Sequence, residues 1–313
     1  MIARFLRRLL WLQALAILAL AGWLLWLGLG WLTASLLALA GLIAVRILIT
    51  LQNFVLAWHY GRGQTRPAHS KLTLWQKLRL FAGEWSATLS SSSWLMISHM
   101  FSERDKMEDQ GLPVLLVHGW ACNSGYWSHL SRRLMAQGIR HYALDLEPAL
   151  APIDAYTPLL AAKIDAVLAK SGAKQVIIVA HSMGGLATRA YLRAHGAAKI
   201  AHVITLGSPH HGTGLANFGM GENSRQMRYH KQSGPSPWLQ TLAASETKDT
   251  RALFTSIWSR DDNIISPQNS SELPGARNIA LHGMGHVALA LHPQVQDVLL
   301  QEIAHIRSAA ERN

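Results

Sequence analysis

The chain has 313 residues, half of them hydrophobic, with 29 Lys and Arg against 18 Asp and Glu for a formal charge of +11. So much apolar surface excludes a disordered or acidic-tail protein, because disorder needs low hydrophobicity. A single cysteine, Cys122, excludes an intrachain disulfide and gives no sign of an oxidising compartment.

The charge is unevenly placed. Up to Gly83 there are nine basic residues (Arg4, Arg7, Arg8, Arg46, Arg62, Arg66, Lys71, Lys77, Arg79) and no acid, Glu84 being the first. From Glu84 onward 20 basic residues face 18 acidic ones, a balance of +2. A nucleic-acid partner, which the overall basicity would suggest, is therefore not expected of the remainder.

Between Arg8 and Arg46 lie 37 residues without a charge. A bilayer core needs about 20 apolar helical residues, so the run is too long for one ordinary span. Two transmembrane helices fit it, at about Leu9 to Leu27 and Trp31 to Leu51, turning at Gly28-Leu29-Gly30. Arg46 is expected to snorkel from the second span to the headgroups. Trp11, Trp23, Trp26, Trp31 and Trp58 cluster near the span ends, as interfacial tryptophans do. A cleaved signal peptide would have a shorter apolar region and a small-residue cleavage site. Positive charges flank the pair and are missing from the turn, which predicts both flanks, and all that follows, on the cytoplasmic side of a bacterial inner membrane. One span followed by an interfacial helix is the alternative, and it would reverse the side.

Residues 61–111 read as a connector. Leu72, Trp75, Leu78 and Phe81 recur at helical spacing beside Lys71, Lys77 and Arg79, which suits either a helix lying on anionic lipid or one packed on the following domain. Ser90 to Ser93 is read as a bend.

From residue 112 strands alternate with helices. Strands are expected at Pro113 to Val117, His141 to Leu146, Lys174 to Ala180, Ile200 to Leu206, Leu253 to Trp258 and Asn278 to Leu281. Helices are expected at Tyr126 to Ala136, Thr157 to Lys170, Met183 to His195 and Pro293 to Arg307. This is the pattern of an α/β fold with a mostly parallel sheet covered on both faces, whose sites form beyond the carboxyl ends of the strands.

The strand at 174–180 runs into Ala180-His181-Ser182-Met183-Gly184-Gly185 and then a helix. Small residues two before and two after a serine allow a sharp strand-to-helix turn that lifts the hydroxyl above the sheet, at a helix N-terminus favouring negative charge. A serine needs a base, itself oriented by an acid. After the strand at 253–258 comes a loop with Asp261 and Asp262, and after the last strand comes His282-Gly283-Met284-Gly285-His286. Of 16 histidines, His286 has the position from which a base would reach Ser182. The loop His118-Gly119-Trp120 after the first strand offers the Trp120 N–H, and Met183 a second, as an oxyanion hole.

Residues 112–313 resemble the α/β-hydrolase superfamily, and within it the small bacterial triacylglycerol lipases and esterases with an A-x-S-x-G elbow. The resemblance rests on Val117-His118-Gly119, Ala180 to Gly185, Leu206-Gly207-Ser208-Pro209-His210-His211-Gly212-Thr213, Ser256 to Ser259 with Asp262, Gly275 to Asn278, and His282 to His286. The family's D-x-x-[VI]-x-P falls on Asp262, Ile265 and Pro267, which makes Asp262 the acid and Asp261 the runner-up.

The resemblance implies an α/β-hydrolase fold over 112–313; the transmembrane hairpin read in 1–60 lies ahead of it and is a departure from the smallest secreted lipases. Residues at about 215–250 would form a cap, either a mobile lid or a packed insertion. The implied activity is a serine carboxylic-ester hydrolase, a lipase or esterase, with Ser182, Asp262 and His286 as triad and no cofactor. Expected partners are an acyl ester or lipid and the membrane lipids. An acyltransferase, phospholipase or thioesterase would share the triad, and a non-catalytic membrane scaffold is the reading from another class. Trp120, Tyr126 and Trp127 are expected either to line an acyl site or to pack in the core. Cys122 is expected to be an inert small hydrophobe, and His210-His211 lack further ligands at a metal-binding spacing.

Overall fold

The computed structural model describes residues 1–64, 71–98 and 111–312. The end of the expected connector, 99–110, lies outside the described residues.

The apolar run forms two helices, α1 (Ile2–Trp26) and α2 (Trp31–Gly61), both long and apolar enough to cross a membrane. Gly28, at φ 88°, makes the turn between them, as a glycine can without a Cβ penalty. Trp11, Trp26 and Trp31 are fully presented to the surroundings, at 73, 80 and 73 % exposure, which in water would be costly and in lipid is not. Arg46 does not reach outward alone. Its guanidinium donates to Gln13 Oε1 of α1 at 2.7 Å, which ties the two helices together at a polar point.

The hairpin's open end, not its turn, meets the rest of the protein. Ile2 and Leu6 of α1 are buried in a core cluster with Met96, Tyr126, Trp127 and Ala149. The second span was expected to close at about Leu51, and the helix runs on past it. With no glycine or proline to stop it, α2 continues to Gly61, 31 residues or about 46 Å at about 1.5 Å of rise per residue. That exceeds a hydrocarbon core of about 30 Å, and the surplus turns dock on the downstream domain. Ser266 donates to the Ala57 carbonyl at 2.6 Å, and the Asn217 amide to the Tyr60 hydroxyl at 3.2 Å.

Helix α3 (Leu74–Ser90) opens with a capping box, Thr73 accepting from the Gln76 N–H and Gln76 from the Thr73 N–H. Of its two expected roles, packing on the rest of the protein is seen along one face. Leu80, Glu84 and Ala87 are buried against the protein, and Leu74, Trp75 and Leu78 are exposed. Ser90 to Ser93 make no bend. The helix widens into a π-turn at Ser91–Leu95 and carries on through Ser98, the Ser92 hydroxyl bonding back to the Thr88 carbonyl.

Six parallel strands follow: β1 (Val114–Val117), β2 (His141–Leu144), β3 (Val176–His181), β4 (Ile200–Leu206), β5 (Phe254–Ser259) and β6 (Arg277–Leu281). Their order is β2-β1-β3-β4-β5-β6. Strands β1, β3 and β5 are buried along their whole length. Accordingly β1 and most of β3 read as continuous apolar runs, while β5 buries Ser256 and Ser259 with their hydroxyls bonded to the Ser271 and Met284 carbonyls. Helices α4 (Ser128–Ala136), α5 (Thr157–Ser171), α6 (Met183–His195) and α8 (Pro293–Glu311) cover the faces, and α7 (Pro237–Ala244) belongs to the expected cap. Two clusters fill the core, one on each side of the sheet, with Leu115, Ile178 and Leu186 in the first and Leu116, Val179 and Leu299 in the second.

Much of the cap is packed. Leu239 and Leu242 of α7 are buried in the first cluster. Glu246 forms an ion pair with Arg189 of α6, two bonds of 2.6 and 2.9 Å with both side chains buried. Its leading part differs, since Phe218 and Met220 are 67 and 69 % exposed.

Candidate active site

The ends of β1, β3, β5 and β6 converge. Ser182 follows β3 and sits at φ 54°, ψ −125°, a strained conformation for a residue with a side chain, immediately before the N-terminus of α6. The neighbouring helix can approach because Gly184 has no Cβ. One built there would lie 2.6 Å from the Val117 carbonyl oxygen. Ala180, where the usual elbow has glycine, is fully buried in β3.

Asp262, in the turn after β5, lies beside His286. The His286 Nδ1 and Asp262 Oδ2 are 2.8 Å apart, both side chains buried. The other Asp262 oxygen accepts the N–H groups of Ile264 and Ile265 at 2.8 and 2.7 Å. Against an ionised Asp262, Nδ1 carries the proton and Nε2 is left to face a reactant. Burial disfavours charge on His286, but the Asp262 charge and hydrogen bond, with Glu84 adding to them, outweigh it and hold its pKa above the ordinary imidazole value.

Asp261 has a different partner. Its Oδ2 accepts the Gly283 N–H at 2.7 Å, tying the turn after β5 to the loop after β6. Asn263 reinforces the tie by accepting the His286 N–H at 3.0 Å.

The ring of His181 packs on that of His286, centroids 4.6 Å apart, and donates from Nε2 to the His286 carbonyl at 3.1 Å. Burial and the neighbouring His286 push the His181 pKa well below the usual value, so it acts as a neutral spacer. The N–H groups of Trp120 and Met183 have no backbone acceptor among the described residues. Burial pushes the Cys122 thiol up to about 12, which keeps it an unreactive thiol.

A cavity of about 320 Å³ opens beside Ser182. Trp120, Leu215, Phe218 and Met227 line it, and so do Gln52, Asn53 and Leu56 of α2. Tyr126 and Trp127 take the other course open to them and are buried in the core, the Tyr126 hydroxyl donating to the Val287 carbonyl at 2.8 Å.

Two contributions were missed in the sequence. One is the wall that α2 supplies. The other is Glu84 of α3, 1 % exposed, whose two oxygens accept the N–H groups of Val287 and Ala288, each at 3.0 Å. Gly285 makes room for it, since a Cβ there would lie 2.4 Å from Glu84 Oε2. Burial raises the Glu84 pKa, although both backbone bonds and the facing His286 oppose the rise. The only sequence signal was a lone acid at the close of a basic quarter.

The alpha/beta hydrolase family matches residues 114–274, just over half of the chain, and the chain belongs to that family. It is 35% identical over 115 residues to a triacylglycerol lipase of Pseudarthrobacter phenanthrenivorans, covering 34% of this chain and 35% of that protein. Against a triacylglycerol lipase of Burkholderia plantarii the identity is again 35% over 115 residues, covering 34% and 32%. The chain thus spans about a third of the length of these curated relatives. Among solved structures, Bacillus licheniformis lipase BlEst2 in mature form aligns with a TM-score of 0.55 at 17% identity, over 63% of this chain and 93% of that one. Aspergillus fumigatus lipase B aligns with a TM-score of 0.55 at 20% identity, over 64% and 54%. At such identities the likeness is one of fold.

Proposed function

We propose that this chain is a membrane-anchored serine hydrolase that cleaves carboxylic esters of acyl lipids. The observation that carries the reading is the hydrogen-bonded Asp262–His286 pair beside a strained serine elbow that lines an apolar cavity. The 35% identity to two triacylglycerol lipases supports the ester class.

In this reading Ser182 Oγ attacks the ester carbonyl carbon while His286 Nε2 takes its proton. The oxyanion is held by the N–H groups of Trp120 and Met183. Collapse breaks the acyl C–O bond, and His286 returns the proton to the departing alcohol. Water, deprotonated by His286, then attacks the acyl-enzyme and releases the fatty acid and Ser182. Asp262 holds the imidazole tautomer and stabilises the imidazolium. The hairpin α1–α2 anchors the enzyme, and the basic flanks with an uncharged turn support a cytoplasmic active site at a bacterial inner membrane.

The test is turnover of p-nitrophenyl esters and acylglycerols by the detergent-solubilised protein, with fluorophosphonate labelling. Wild type should label and turn over, and Ser182→Ala should do neither. Unchanged turnover in Ser182→Ala would sink the assignment, and labelling with turnover only when an alcohol is added, giving a new ester in place of free acid, would make the enzyme an acyltransferase. Cleavage of the catalytic domain by protease added to intact spheroplasts would overturn the sidedness.

A further inference from the structure

A second cavity, of about 510 Å³, lies between the first turns of α1 and a wall of the downstream domain that includes Trp120. Trp120 and Ala121 form its inner wall, Leu150 and Met220 part of its rim, and Arg4 and Arg8 stand along its α1 side. Trp120 is also a wall of the cavity that holds Ser182, so the two spaces adjoin at the proposed oxyanion donor. Both volumes fall within the range of about 300 to 1,000 Å³ usual for small-molecule sites.

The two cavities differ in chemistry. The one at Ser182 offers apolar side chains and the polar pair Gln52 and Asn53. The second combines apolar surface with two guanidiniums one helical turn apart, which therefore point along the same face of α1. Arg4 and Arg8 are exposed, and neither has a carboxylate partner among the described residues. A pair of unneutralised arginines above an apolar hollow matches a phosphate on an acyl lipid. The surroundings match a leaflet as the source. Phe218 and Met220 are exposed at the mouths of the two cavities, and α1 leads from Arg8 directly into its apolar stretch.

Resting on the hydrolase reading above, we propose that the substrate is an anionic glycerophospholipid drawn from the leaflet around the hairpin. Its phosphate lies between Arg4 and Arg8, its acyl ester passes Trp120, and its acyl chain occupies the cavity between α2 and the cap. Hydrolysis breaks one acyl C–O bond with one water and gives a fatty acid and a lysophospholipid.

The test measures kcat/KM for phosphatidylglycerol and for diacylglycerol of the same acyl chains, in mixed micelles of neutral detergent, with p-nitrophenyl butyrate as a soluble ester. Wild type should prefer phosphatidylglycerol. Arg4→Gln/Arg8→Gln should lower the ratio of the two lipid values on the order of tenfold, mostly through KM, as expected for lost charge-assisted hydrogen bonds. Lys71→Gln/Arg79→Gln, which removes the same charge from another basic patch, should leave the ratio in place. An equal fall with that control, or a ratio unmoved by the Arg4/Arg8 change, overturns the headgroup site while Ser182-dependent butyrate turnover leaves the hydrolase standing. Loss of Ser182-dependent turnover on every ester overturns both.

Discussion

Glu84 Oε1 accepts the backbone N–H of Val287 at 3.0 Å, across 203 residues of sequence. Its second oxygen does the same for Ala288, so the residues directly after His286 hang from a helix that lies outside the hydrolase region 114–274. Two N–H donors on two oxygens is the arrangement of a carboxylate, since a protonated carboxyl would need an acceptor for its own hydrogen. Glu84 thus holds the base loop and adds a negative charge facing His286.

Glu84→Gln keeps the shape but gives one N–H an amide in place of an acceptor. It should lower kcat by about tenfold to a hundredfold, the usual scale for a misplaced catalytic group. Its pH profile tests more than packing. His286 must be neutral to act as a base, so kcat/KM rises with pH through its pKa, which Asp262 and Glu84 hold above the ordinary imidazole value. Removing the Glu84 charge should shift that acid limb to lower pH. A variant with reduced rate and an unmoved limb would make Glu84 a packing residue alone.

The adjacent aspartates should separate cleanly. Asp262→Asn removes the charge and favours the wrong imidazole tautomer, and kcat/KM on a p-nitrophenyl ester should fall on the order of 10³- to 10⁴-fold. Asp261→Asn keeps an oxygen for the Gly283 N–H and should cost less than about tenfold. Equal losses would show that the pairing of Asp262 with His286 does not decide activity.

Arg189 and Glu246 join α6 to the cap through a bidentate pair with side-chain exposures of 0 and 4 %. Glu246→Gln leaves a buried guanidinium without its counter-charge and should cost about 3 to 5 kcal/mol. In a thermal melt that is a fall of roughly 6 to 20 °C for a domain of this size. Adding Arg189→Met to Glu246→Leu should recover most of the loss, because the destabilisation comes from the orphaned charge.

Where the sequence was legible and where it was not follows from range. Strand β3 and the elbow at Ser182 are local: an apolar run, small flanking residues and a helix start within a dozen positions. Asp262 and His286 could be placed because strand ends in a parallel sheet share one edge. Glu84 could not, since its partners are backbone atoms more than 200 residues away and nothing beside it in the chain marks it. The reach of α2 beyond the expected span was not legible for another reason. A drop in hydropathy marks where apolar surroundings end, but a helix ends where its hydrogen bonding is interrupted, and Asn53 and Leu56 of the continuing helix line the cavity at Ser182.

In the proposed reading, that extension of α2 would help set the chain length of the substrate. Leu56 lines the cavity at Ser182 from the helix that leads out of the apolar span. Leu56→Trp would fill part of that space, and a pocket shortened by a few methylenes discriminates by about 1 to 3 kcal/mol per group lost. Across p-nitrophenyl esters of increasing length, the optimum should move to shorter chains and the long-to-short ratio of kcat/KM should fall by about tenfold or more. Leu48→Trp, two turns back at a position 59 % exposed on the hairpin, should keep the wild-type profile. If both changes leave the profile alike, α2 anchors the enzyme without shaping its substrate site.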